Sequence, residues 1–85
     1  MIKGYATVQS SRGLHARPAA QIADYVKKSD SEVTFRIGDQ EVDPSKYAKL
    51  LALSIKCGTE IEIIVDGSDE KRIFMELISI LETVE

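Results

Sequence analysis

The only histidine of the chain, His15, stands two residues before Arg17 in the run Gly13-Leu14-His15-Ala16-Arg17-Pro18-Ala19-Ala20. Imidazoles in general titrate near neutral pH, so one can act as an unprotonated nucleophile, while a guanidinium beside it supplies permanent positive charge. Proline favours the first turn of a helix, where its missing N–H costs nothing, so Pro18 places a helix start at this run. The N–H groups of Ala16 and Arg17 then have no partners within the helix. Together with the positive end of the helix dipole they make an anion site, and the anion that suits a nucleophilic imidazole is a phosphate. A lone loop histidine is more often a solvated side chain; the arginine and the helix-start proline in register with it are what favour chemistry.

Several elements must position that run. Ile2, Gly4, Ala6 and Val8 alternate with Lys3, Tyr5, Thr7 and Gln9, which predicts a first strand over 2–8 with one buried face. The polar loop Ser10-Ser11-Arg12-Gly13 follows. Ala16, Ala19, Ile22, Ala23 and Val26 then recur at helical spacing, ending at Lys27-Lys28, a pair suited to a helix C-terminus. At about 100° of rotation per residue, Ala20 falls at the margin of that stripe, where it can belong to a surface. Val33, Phe35 and Ile37 alternate with polar residues up to the turn Gly38-Asp39, and Gln40–Val42 returns as the other arm of a hairpin. Asp43-Pro44 reads as an N-cap and first helical residue of a short second helix carrying Tyr47, Leu50, Leu51 and Leu53. Gly58 closes the connection to a fourth strand, in which Ile61, Ile63 and Val65 alternate with Glu60, Glu62 and Ile64. Asp69 and Glu70 suit the start of a third helix over 69–83, whose apolar stripe is Ile73, Phe74, Leu77, Ile78, Leu81 and Val84.

The order βαββαβα, with strands polar on one side and helices apolar on one face, implies an α+β fold: a two-layer sandwich with its helices on one face of an antiparallel sheet. Eighty-five residues suffice for one small domain over 1–85 and one core, not for two lobes, so the site is expected at the surface. A net charge of −3, without any basic run, argues against a nucleic-acid partner. Cys57 has no second cysteine to pair with and no metal-ligating neighbour, so it is assigned no chemistry. No apolar run approaches a membrane span, which argues against membrane insertion, and the first residues lack the apolar core of a signal peptide; the cytoplasm is the expected compartment. No GxGxxG, GxxxxGK[ST] or CxxC pattern points to a cofactor or a metal, and no spacing supports a His/Ser/Asp triad.

With these residues placed, the run Gly13–Ala19, the Gly38 hairpin, Lys56-Cys57-Gly58-Thr59-Glu60-Ile61 and Asp66-Gly67-Ser68-Asp69-Glu70 resemble the histidine-containing phosphocarrier (HPr) family of the bacterial sugar phosphotransferase system. The resemblance implies an open-faced sandwich with strand order 1-4-2-3. It also implies a carrier, not an independent enzyme: a general first enzyme passes a phosphoryl group from phosphoenolpyruvate to His15 Nδ1, and the carrier passes it to sugar-specific A domains. Arg17 matches the family's active-site arginine, and the Ala16 and Arg17 amides match its helix-end donors. The partner surface implied is Ala16, Arg17, Ala20, Tyr47, Ala48 and Leu51, on a carrier expected to stay monomeric. Lys46 falls where many members carry a regulatory serine, with Tyr47-Ala48 at the position of an apolar pair. That departure supports a competing expectation, a regulatory docking module that controls a partner outside sugar uptake.

Overall fold

The structure, a computed structural model, describes residues 1–83; Val84, expected at the end of the third apolar stripe, lies outside the described residues. Seven elements follow one another: β1 (Ile2–Thr7), α1 (Ala16–Lys28), β2 (Ser31–Ile37), β3 (Gln40–Val42), α2 (Tyr47–Ala52), β4 (Glu60–Gly67) and α3 (Glu70–Leu81). The two-residue periods seen in sequence become one antiparallel sheet of order β1-β4-β2-β3, the order implied by the family resemblance. β4 runs through the middle, with Ala6 opposite Ile61 on one side and Phe35 opposite Ile63 on the other. Ala6, Phe35, Ile61, Ile63 and Val65 all face the helix layer and are buried there against Ala19, Ile22, Leu50, Ile73 and Leu77. Burying each large aliphatic side chain contributes about 1.5–3 kcal/mol, which makes this layer the main stabilising term.

Two glycines are set by their surroundings, one by close approach and one by its backbone dihedral. A Cβ on Gly4 would come within 2.5 Å of Phe74 Cζ, so the missing side chain is what lets the α3 ring lie against β1. Gly38 has φ +61° at the β2–β3 turn, the left-handed conformation that a tight two-residue hairpin needs.

The sheet's other face is open and carries a polar row across all four strands. Tyr5, Glu62, Arg36 and Glu41 stand opposite one another in register. Arg36 pairs with Glu41 at 2.9 Å and Glu62 at 3.6 Å, and the Glu62 carboxylate, acting by its charge and by accepting a hydrogen bond, raises the Tyr5 phenol above its ordinary range.

Three expectations are corrected. Asp43-Pro44 does not begin α2, which starts at Tyr47 with Lys46 as N-cap. The Asp43 carboxylate accepts from the Ser45 amide (3.0 Å) and the Ser45 hydroxyl (2.7 Å), and the Lys46 amide reaches the Asp43 carbonyl, closing a separate turn before the helix. Those bonds, the Ser45 hydroxyl first among them, hold the Asp43 carboxyl below the usual carboxylate range. Ala16 is exposed and not part of the buried stripe, because the first turn of α1 overhangs the core and Pro18 and Ala19 begin the contact. α3 is shorter than expected, closing at Leu81 with Glu82 as C-cap.

Candidate functional site at the start of the first helix

The loop before α1 is held by backbone bonds on both sides. Gly13 N–H donates to the Ser10 carbonyl (2.9 Å), and Leu14 N–H donates to the Ile55 carbonyl (2.8 Å). Gly13 adopts φ +70°, and a Cβ there would overlap the Ile55 carbonyl oxygen and lie 2.9 Å from Lys56 Cα. Only glycine combines that dihedral with that approach. Leu14 is buried and pins the loop to the core, so His15 follows immediately from an anchored residue.

His15 is half-buried and serves as the N-cap of α1 through its backbone, its carbonyl accepting from Ala19 N–H at 3.1 Å. No side chain caps this helix and no acidic residue lies in its first turn. Among the described residues the Ala16 and Arg17 amides have no hydrogen-bond acceptor, and the Arg17 guanidinium has no carboxylate partner. His15, Ala16 and Arg17 are thus brought together at the positive end of the α1 dipole. An anion attached to the imidazole would lie at the helix end that carries the Ala16 and Arg17 amides, with the Arg17 side chain two residues away in the chain.

The expected partner surface surrounds this site only in part. Ala20 and Tyr47 line one shallow groove of about 350 Å³ between α1 and α2, with Ala23, Asp24 and Lys27. Ala20 and Ala48 are exposed, Tyr47 is 36% exposed, and Leu51 is half-buried against the core, its other side open. Lys46 is exposed at the N-cap of α2, so the position holds an ammonium and no hydroxyl. Ile55 is the residue that sequence reasoning missed: its carbonyl anchors the loop, a role that only the positive φ of Gly13 could have signalled.

The charge of the molecule divides along the same line. Residues 10–28 and 43–59, which build the loop, α1, α2 and the Ile55 loop, hold seven Lys/Arg against two Asp/Glu, a net of +5; the remaining residues hold four against twelve, a net of −8. Positive charge is therefore concentrated in the segments that build and back the site, within a chain of net negative charge.

Among the described residues no group of three or more His, Cys, Asp or Glu side chains is placed to hold a metal ion, and no helix is long and apolar enough to cross a membrane. Residues 2–83 match the family described as the PTS HPr component phosphorylation site. A phosphocarrier protein HPr from Haemophilus influenzae is 36% identical over 76 residues, covering 89% of each chain. A multiphosphoryl transfer protein from Xanthomonas campestris pv. campestris is 30% identical over 92% of this chain, within 9% of its own length. The solved structure of a Mycoplasma histidine-containing phosphocarrier protein superposes with a TM-score of 0.85 at 30% identity, covering 93% of this chain and 90% of that one.

Proposed function

The chain belongs to the HPr family of phosphotransferase-system phosphocarriers, and from that premise we propose that it accepts a phosphoryl group on His15 from the general first enzyme and donates it to sugar-specific A domains. The observation that carries the reading is the N-terminus of α1, where the half-buried His15 sits beside Ala16 and Arg17 amides that have no acceptor, and an Arg17 guanidinium that has no carboxylate partner, among the described residues. In the acceptance step the lone pair of His15 Nδ1 forms an N–P bond while the bond from phosphorus to the donor breaks, its electron pair leaving with the donor. Donation is the reverse, with an acceptor as nucleophile. The transition state is loose, with charge spread over the phosphoryl oxygens, so fixed N–H donors and a guanidinium stabilise it with little covalent help from the protein.

His15 is half-buried at the surface, which suits a carrier whose turnover requires partner enzymes to complete the site. Ala16, Arg17, Ala20, Tyr47, Ala48 and Leu51 form the docking surface in this reading, and its positive surroundings favour acidic partners. A carrier that must show one surface to successive partners is expected to be monomeric. Lys46 cannot accept a phosphate as a serine would, so docking at α2 is not switched by phosphorylation at that position.

Incubation with phosphoenolpyruvate and a general first enzyme is expected to give an acid-labile, base-stable adduct, as a phosphoramidate bond requires, and His15→Ala is expected to abolish it. Absence of an adduct on the unaltered chain overturns the reading; a regulatory partner bound equally well by His15→Ala would favour the docking module instead.

A further inference from the structure

Four arginines divide into two kinds. Arg36 and Arg72 are paired with carboxylates, at 2.9 Å to Glu41 and 3.2 Å to Asp69, while Arg12 and Arg17, on either side of His15, have no such partner among the described residues. A third cation is brought to the same place from a distant part of the chain. The loop after α2 crosses the His15 loop, joined to it by the Leu14 N–H bond to the Ile55 carbonyl, and Lys56 Cα lies 2.9 Å from where a Gly13 Cβ would be. Lys56 is exposed and has no ion-pair partner among the described residues. The bond from Gly58 N–H to the Val8 carbonyl (2.8 Å) and that from Val8 N–H to the Thr59 carbonyl (2.9 Å) fix the far side of the same loop. The Lys56 backbone is therefore held against Gly13, two residues before His15, and its flexible four-carbon stem gives the ammonium reach from there.

We propose that Lys56 is a second cationic ligand of the phosphoryl group on His15, opposite Arg17. This rests on His15 being the phosphorylated residue. Arg17 comes from α1 and carries a rigid planar fork, whereas Lys56 comes from the crossing loop and carries a compact point charge. Two cations from separate elements can contact different oxygens of one phosphoryl group. The ammonium neutralises charge on the phosphoryl oxygens without taking part in bond making, so it stabilises phospho-His15 itself as well as the transfer.

A docking residue and a phosphoryl ligand differ in what they change. The equilibrium between phosphorylated donor and phosphorylated carrier depends only on the free proteins, so docking affinity cancels from it. With the first enzyme and phosphoenolpyruvate, Lys56→Gln is expected to lower the equilibrium ratio of phospho-His15 to unmodified chain roughly tenfold, the worth of one charge-assisted hydrogen bond. Lys56→Arg is expected to restore most of it, and Lys71→Gln, an exposed lysine on α3, to leave it unchanged. An unchanged ratio in Lys56→Gln overturns the proposal, and so does a rise in KM alone, which would make Lys56 a docking residue. No adduct on the unaltered chain overturns the carrier reading itself, a result plainly distinct from these.

Discussion

Helices α1 and α3 start on similar terms, each following a loop that leaves the sheet, but their N-termini are filled in opposite ways. At α3 the protein supplies its own anions. Glu70 lies in the first turn and accepts from Gly67 N–H at 3.1 Å, which together with the ammonium of Met1 holds its carboxyl below the usual range. Asp69, the N-cap, accepts from the Ser31 hydroxyl, the Asp30 amide (3.0 Å) and Arg72 (3.2 Å), tying the start of α3 to the start of β2. At α1 no acidic residue lies in the first turn, and among the described residues Arg12 and Arg17 have no carboxylate partner. The lesson is that acidic residues are placed differently at the two helix starts. Asp69 and Glu70 stand at the start of α3, whereas no acidic residue lies in the first turn of α1, a helix end that suits an anion.

The largest expected effect tests that difference. Arg17→Gln removes the guanidinium but leaves the amides, and is expected to slow phosphoryl transfer by about 10²–10³-fold, the usual loss for one preorganised donor at developing charge. The thermal midpoint should hardly move, since Arg17 is exposed and pairs with no carboxylate among the described residues. Arg72→Gln should do the reverse, lowering the midpoint modestly while transfer continues. Equal kinetic losses in both variants would break the contrast between the two helix starts.

Next comes the loop that presents His15. Gly13→Ala meets a left-handed φ and an overlap with the Ile55 carbonyl, so a destabilisation of about 1–3 kcal/mol is expected in urea unfolding. Transfer should fall as well, because relieving the overlap must lengthen the Leu14–Ile55 bond. Gly4→Ala meets only the end of the Phe74 ring, a side chain that can rotate away, and is expected to cost stability without changing transfer per folded molecule.

The α3 side predicts a pH dependence instead. Donation from the Ser31 hydroxyl, and then from the Asp30 amide, lowers the Asp69 carboxyl below its ordinary value. A depressed carboxylate stabilises the fold above its unfolded pKa of about 3.9, and that stabilisation is lost as pH falls through the lower folded value. Acid unfolding of Asp69→Asn should therefore show a shallower loss of stability below about pH 4 than the unaltered chain. Identical acid limbs would mean that the Ser31–Asp69 bond contributes nothing to the closed corner.

The contrast was only half legible in sequence. His15, Arg17 and Pro18 announced the open helix start because the relevant groups are neighbours in the chain, and the strand periods gave the two-layer architecture because burial repeats every second residue. Asp69 and Glu70 were read as the start of α3, but the bonds from Asp69 to Ser31 and Asp30 span a sequence separation that no local pattern encodes. The Asp43-Pro44 signal misled for a different reason. A carboxylate that accepts from the amide two residues on is the same local pattern in an isolated turn and at a helix N-cap, so only the continuation, helical at Tyr47 and not before, separates them. Ile55 was silent because it contributes a carbonyl, which every residue type has.

The smallest expected effect concerns the loop that backs the site. Ser54 follows α2 with φ +52°, the only positive value at a described non-glycine residue, and it directly precedes Ile55, whose carbonyl holds Leu14. A left-handed L-residue costs about 1–2 kcal/mol, and glycine returns about 0.4–1 kcal/mol of that through the freedom of the unfolded chain. Ser54→Gly is thus expected to stabilise the fold by less than about 1 kcal/mol. Its transfer kinetics decide how the His15 loop is held. An unchanged rate means that the Ile55 carbonyl and the Gly13 approach suffice to fix the loop; a slower rate with higher stability means that the stiffness of Ser54 is part of what keeps the N-terminus of α1 ready for its phosphoryl group.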